Sequence, residues 1–212
     1  MTHPYWPLFN LRVRTPRVEL RCPGEEDLIA LARLAGEGIH APGEMPFLTP
    51  WSVGENVAQS VLQWHWRQRA AWTPDDWSLE LVVVAGGEVV GTQGMAARDF
   101  RVVRVVHSGS WLGRRHQGQG LGKEMRAAML HLAFAGLGAE SAQSGAFVDN
   151  GRSLAVSRAL GYREDGENIR NRQGVTTREV RFRLERPDWE KTSRDDIEIE
   201  GLEPCLAMFG AD

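Results

Sequence analysis

The chain has 212 residues, of which 42% are hydrophobic and 25% charged, the balance of a soluble globular protein with one sizeable core. A formal charge of -3 offers no overall basic field for nucleic acid, and no apolar run approaches the roughly 18 residues that a bilayer span needs. Two cysteines, Cys22 and Cys205, have no metal-ligand spacing; they argue against a disulfide framework or zinc site and, with no signal peptide visible, fit a reducing cytoplasm.

The opening residues read as extended, and Arg17 to Arg21 alternate like a half-buried strand that Pro23 and Gly24 end. A helix follows with Leu28, Leu31, Ala32 and Ala35 on one face and acids at its N-terminal end. Residues 40 to 51 carry three prolines and read as a shaped loop; Ser52 to Glu55 match a capping box for a helix with Val57, Val61 and Trp64 on one stripe. A valine-rich strand, a Gly86-Gly87 turn and a second strand form a hairpin, and residues 101 to 113 continue as a third strand. Leu121, Met125, Ala128, Met129 and Leu132 share a helical face that Gly136 and Gly138 close. A short strand, a short helix from Asn150 with Leu154, Ala155 and Leu160 inward, and a hairpin turning at Asn171 to Gly174 complete a domain over residues 1–190. Residues 191–212 read as an extension docked on it. Two strand–helix–strand passes require some parallel pairing, so the expected class is α+β with a mixed sheet.

The stretch Trp111 to Leu130 sets Gly118, Gly120 and Gly122 at the mouth of a helix, where glycine is costly unless something approaches the backbone. A Walker A loop needs Ser or Thr after its lysine, but Lys123 is followed by Glu124. A dinucleotide fingerprint needs G-x-G-x-x-G, and the spacing here is G-x-G-x-G. Gln117 to Gly122 instead satisfy [Q/R]-x-x-G-x-[G/A] between a strand and an amphipathic helix, where amides and the positive helix end would hold a pyrophosphate.

That motif, with "FVDNGRSLAVSRALGY" about 30 residues later, resembles the GCN5-related N-acetyltransferases over about residues 15 to 187. "WLGRRHQGQGLG" and the final Arg-Phe-Arg-Leu strand look most like the RimJ/RimL-type branch. The resemblance implies a central mixed sheet of about six to seven strands flanked by about four helices, with two strands splayed around the pantetheine arm of acetyl-CoA. It implies that Ser110, Trp111 and Leu112 pair with the arm through their backbone and that Gln117, Gly118, Gln119, Gly120, Leu121 and Gly122 hold the pyrophosphate. Arg114, Arg115 and Lys123 would neutralise phosphates or form a solvated basic patch. Asn150 would bond the arm or simply cap its helix, with Ser153 the small residue after it.

The reaction so implied is acyl transfer from a CoA thioester to an amine, with no metal. A tyrosine often stands seven residues after the motif's asparagine; here Ser157 stands there, a weaker candidate acid for the leaving thiolate. Tyr162 is expected in the core. His107 and Glu44 are candidate bases. Residues 36 to 54 and the 163 to 180 hairpin would shape the acceptor site, offering Glu44, Phe47, Trp51, Arg170 and Arg172. The arginines would suit succinyl-CoA or an acidic substrate, or form a solvated edge. The expected function is transfer of acetyl to a protein N-terminus or small amine. The alternatives are succinyl transfer and a CoA-binding regulatory protein without turnover, in which Ser157 and the absent obvious base would find their reason. A homo-oligomer is compatible with the resemblance; nucleic acid and membrane partners are not expected.

Overall fold

A computed structural model describes residues 3–212. Nine strands form one sheet: β1 (Arg12–Arg14), β2 (Glu19–Arg21), β3 (Asp76–Ala85), β4 (Glu88–Arg98), β5 (Val105–Leu112), β6 (Ser141–Phe147), β7 (Arg163–Arg172), β8 (Val175–Glu185) and β9 (Glu198–Glu200). Their spatial order is β7-β8-β6-β5-β4-β3-β2-β1-β9. Every neighbouring pair is antiparallel except β5 and β6, whose parallel pairing requires a crossover.

The longer helices are α1 (Glu25–Gly36), α2 (Val57–Ala70), α4 (Leu121–His131) and α5 (Gly151–Ala159); α3 (Phe100–Val103), α6 (Arg186–Glu190) and α7 (Leu206–Phe209) are short turns. Strand alternation sends β3 side chains to two cores. Trp77, Leu79, Leu81 and Val83 join Met125, Ala128 and Met129 of α4 on one face. Val82 joins Leu31, Ala35, Val57 and Val61 of α1 and α2 on the other. The run Leu81-Val82-Val83 is therefore buried throughout, as expected of a strand covered on two sides. Each fully buried leucine or valine contributes about 1.5–3 kcal/mol.

The mixed sheet agrees with expectation but has nine strands in place of about six to seven. The first extended stretch is a hairpin, reversed where the Thr15 amide meets the Val18 carbonyl at 2.9 Å, and β9 pairs with β1. Three-residue strands hold too little alternation to reveal themselves in sequence. Residues 100–103 form a helical turn rather than the start of β5, because Asp99 and Arg104 (each φ 52°) adopt left-handed backbone that interrupts a strand. The turn buries Phe100 and leaves Val102 82% exposed. Asn56, not Ser52, precedes α2, and the Ser52 hydroxyl bonds His40 Nε2 at 2.8 Å instead. Trp64 and Ala155 are exposed, contrary to the expected stripes, although the Trp64 side chain reaches the Glu80 carboxyl. The indoles of Trp72 and Trp77 donate to the carbonyls of Met208 and Phe209 at 2.9 and 3.2 Å, tying the tail to the α4 side of the sheet. No helix among the described residues is long and apolar enough to cross a membrane.

Candidate active site

The site begins where β5 and β6 part. They pair only from Val105↔Ser141 to His107↔Gln143. Beyond that, Ser108 to Leu112 keep β4 as their strand partner, while Ser144 to Phe147 keep β8. Alternate amides and carbonyls of β5, among Ser110, Trp111 and Leu112, thus face the gap without a strand partner.

At the open end of this gap the chain leaves β5 and enters α4 through the glycine loop. Gly118 (φ 74°) and Gly120 (φ 80°) are left-handed, which explains two of the three glycines. Gly122 is ordinary helical backbone; a Cβ there would touch Leu112 and Val156 at 3.8–3.9 Å, so its absence keeps the passage between β5 and α5 wide. Among the described residues, the amides of Gly118, Gln119, Gly120, Leu121 and Gly122 donate to no protein acceptor. Gln117 braces the loop: Nε2 donates to the carbonyls of Ile39 (2.6 Å) and Leu112 (2.9 Å), and Oε1 accepts from Arg152 at 2.6 Å. Arg17 reaches in to the Gln119 carbonyl at 2.7 Å. Arg115 pairs with Glu37, while Arg114 and Lys123 are exposed at the rim. Asn150 caps α5 by accepting the Ser153 amide at 3.2 Å. Free amides, a helix N-terminus, nearby cations and an unpaired strand edge form a donor set that fits the pyrophosphate and amide-bearing arm of CoA.

The α1/α2 face carries the other half. His40, Phe47, Trp51 and Trp111 form an aromatic ladder with centroid steps of 6.2, 4.9 and 5.7 Å, joining the proline-rich loop to β5. Glu44 accepts the Ala41 amide within that loop. Arg172 roofs it by donating to the Met45 carbonyl and pairing with Asp149 through both terminal nitrogens. Arg170 pairs with Glu179, and Arg178 with Glu167.

Beneath lies a trench. Glu80, Gly94 and Gly109 stand in register across β3, β4 and β5. The Glu80 carboxylate overlies Gly94, where a Cβ would come within 2.9 Å of Oε2; beside it, a Cβ on Gly109 would meet nothing within 4 Å. Across the gap, Gly145 faces the Glu179 carboxylate. Burial pushes the Glu80 carboxyl up to about 7, against weaker opposing bonds from Ser78 and Trp64. Partial burial, and then Arg183, lower the His107 imidazole, so it is neutral at pH 7; it sits on this face at the fork of the strands. Tyr162 is in the core, as expected.

On the α4 face of the fork, Ser157 is fully buried and bonds the guanidinium of Arg126. No sequence motif singles out Arg126, although a charge between Met125 and Ala127 beside the apolar stripe is a visible anomaly. Glu80, Arg17 and Arg152 were missed because only the sheet register and loop path bring them near.

Residues 17–163 match the acetyltransferase (GNAT) domain family, more than half of the chain, and the chain therefore belongs to the GNAT acetyltransferases. Its fold is similar to that of Mycobacterium smegmatis RimJ in complex with CoA-disulfide (TM-score 0.66, 19% identity, 84% of this chain and 88% of that one). It is similar also to RimL, a ribosomal L7/L12 alpha-N-protein acetyltransferase in complex with coenzyme A (0.64, 19%, 81% and 95%). A third similar fold is the spermidine/spermine N-acetyltransferase SpeG from Vibrio cholerae (0.64, 14%, 84% and 99%). The activity is accordingly acyl-CoA-dependent N-acetylation.

Proposed function

We propose that this chain carries the acetyl group of acetyl-CoA directly onto a primary amine, either a protein N-terminus or a small amine, within a ternary complex. The carrying observation is the parting of β5 and β6 at His107 and Gln143, with the glycine loop on one side and the aromatic, glycine-floored trench on the other. The two substrates would meet end to end in that gap, converting a bimolecular attack into a local one. The RimJ, RimL and SpeG likenesses support the amine class.

The trench suits a cation. Phe47, Trp51 and Trp111 supply ring faces, and Glu80 supplies a carboxylate. Arg170, Arg172 and Arg178 already hold Glu179, Asp149 and Glu167, which supports acetyl over a carboxylate-bearing acyl group. An ammonium must lose a proton before attack; Glu80 and His107 face the trench in forms able to take it near pH 7. The thioester oxygen would be met by an unpaired β5 amide near Leu112. Cys22 and Cys205, free and buried, suit a cytoplasmic setting.

The test is thermal unfolding with CoA, acetyl-CoA, succinyl-CoA, NADH and Mg-ATP separately. CoA species at about 100 times their dissociation constant should add about 2.7 kcal/mol, whereas the other nucleotides should add nothing. In Gly120→Val, which places a β-branched residue at φ 80° with its Cβ 3.2 Å from Arg17, the CoA shift should vanish. An undiminished shift would overturn the loop assignment. Thiol release with N-terminal peptides and polyamines then identifies the acceptor; CoA binding with no release from any amine would favour a binding protein.

A further inference from the structure

Arg126 is 5% exposed on α4 and, among the described residues, pairs with no carboxylate. Its guanidinium donates only to serine hydroxyls: Nη2 to Ser110 of β5 at 3.1 Å, and Nη1 to Ser144 of β6 at 3.1 Å and Ser157 of α5 at 3.3 Å. Its Nε, the neighbouring Tyr162 hydroxyl and Gln93 Oε1 have no hydrogen-bond partner. A buried cation without an anion costs several kcal/mol, and hydroxyls alone do not offset that. This one stands where the two strands diverge.

The orientation of the bonds says what the charge does. A serine oxygen that accepts from a guanidinium keeps its own proton free to donate elsewhere. Ser110 and Ser144 are half-buried, lie on opposite lips of the gap, and donate to no acceptor among the described residues. Arg126 thus polarises two hydroxyls whose protons are available to the gap.

We propose that Arg126, acting through Ser110 and Ser144, is the positioning residue that stabilises the departing CoA sulfur as a thiolate, in place of an acid that protonates it. This rests on the acetyltransfer reading above. The C–N bond forms to the acceptor nitrogen, and the C–S bond breaks with its electron pair left on sulfur. The ammonium first yields one proton through the base to solvent, and the nitrogen yields a second to the base as the C–N bond forms; after release the thiolate takes a proton from solvent and the base returns its own, so of the two protons nitrogen loses one is matched on sulfur and one is released. The guanidinium keeps its charge throughout, because arginine does not deprotonate in proteins. Among the described residues Tyr162, beyond α5, is the one titratable group beside it, and α4, β4, β5, β6 and α5 present Gln93, Ser110, Ser144 and Ser157 and no carboxylate.

The experiment titrates the thiol of bound CoA by its thiolate absorbance, with no acceptor present. In the wild-type protein that thiol should ionise about one to three pH values below free CoA. In Arg126→Met it should return to the free value or above, with CoA affinity, measured at a pH below the ionisation of the bound thiol, changed less than about threefold and the apo protein melting no lower, since an apolar isostere relieves a buried charge. Arg126→Lys should restore part of the effect. Should Arg126→Met not fold, the Ser110→Ala/Ser144→Ala protein carries the same readout. A bound thiol that ionises like free CoA in the wild type, or that Arg126→Met leaves unchanged, would overturn the proposal. Tenfold tighter binding of succinyl-CoA than acetyl-CoA that is lost in Arg126→Met would also overturn it, by assigning the charge to an acyl carboxylate. Failure of CoA to bind at all would instead sink the acetyltransfer reading.

Discussion

Glu80 joins stability and chemistry in one side chain. Burial pushes its carboxyl up to about 7 from an ordinary 4.5, so between these pH values the folded state holds an extra proton. Stability therefore falls as pH rises from 4.5 to 7, and the cost is constant above that. Glu80→Gln should leave the melting temperature unchanged at pH 4.5 and raise it above wild type at pH 8. If Glu80 takes the amine proton, the same change should lower kcat/KM about 100-fold and abolish an inflection near pH 7. Retention of full activity would transfer the role to His107, whose lowered imidazole would place the acidic limb below 6.5. The identity of this base was not legible in the sequence. Glu80 sits in an apolar strand with no motif around it, and only its register against Gly94 and Gly109 shows that it overlooks the gap.

At the scale of the element, legibility followed local pattern. The glycine run before α4 and the asparagine opening α5 are local conformational signals, and they led to the mixed sheet and the CoA loop as candidates. What depends on two strands meeting was hidden: the hairpin within residues 12–21 and the serine ring around Arg126. Even among the glycines the reasons differ, because Gly118 and Gly120 need left-handed backbone while Gly109 has extended backbone that any residue can adopt. Gly109 therefore separates fold from function. A valine there meets no atom within 4 Å at its Cβ and should leave the melting temperature within about 2 °C of wild type. It would stand in the trench beside Glu80, so the acceptor KM should rise at least about tenfold while the stabilisation by CoA is unaltered. Loss of CoA stabilisation instead would place the trench on the wrong face of the sheet.

Across the whole molecule, the C-terminal segment reaches back to the helix that opens the CoA loop. Arg194 pairs with Glu124 through two 3.0 Å bonds and with Asp196 at 2.7 Å. Beyond it, Ile197 and Phe209 are buried in the principal core and β9 lengthens the sheet. Glu124 lies in the first turn of α4, where a carboxylate favours the helix but opposes a bound pyrophosphate. Arg194 holds that carboxylate below its usual range and also neutralises it. The tail thus withdraws a repulsion from the loop through Glu124. Arg194→Ala should weaken CoA binding about three- to fivefold, an electrostatic effect of about 1 kcal/mol, and the deficit should shrink in high salt. Adding Glu124→Gln should restore affinity, because the charge that Arg194 offsets is then gone. If Arg194→Ala/Glu124→Gln binds CoA as weakly as Arg194→Ala, the tail acts through packing, and the loss should then track melting temperature rather than ionic strength.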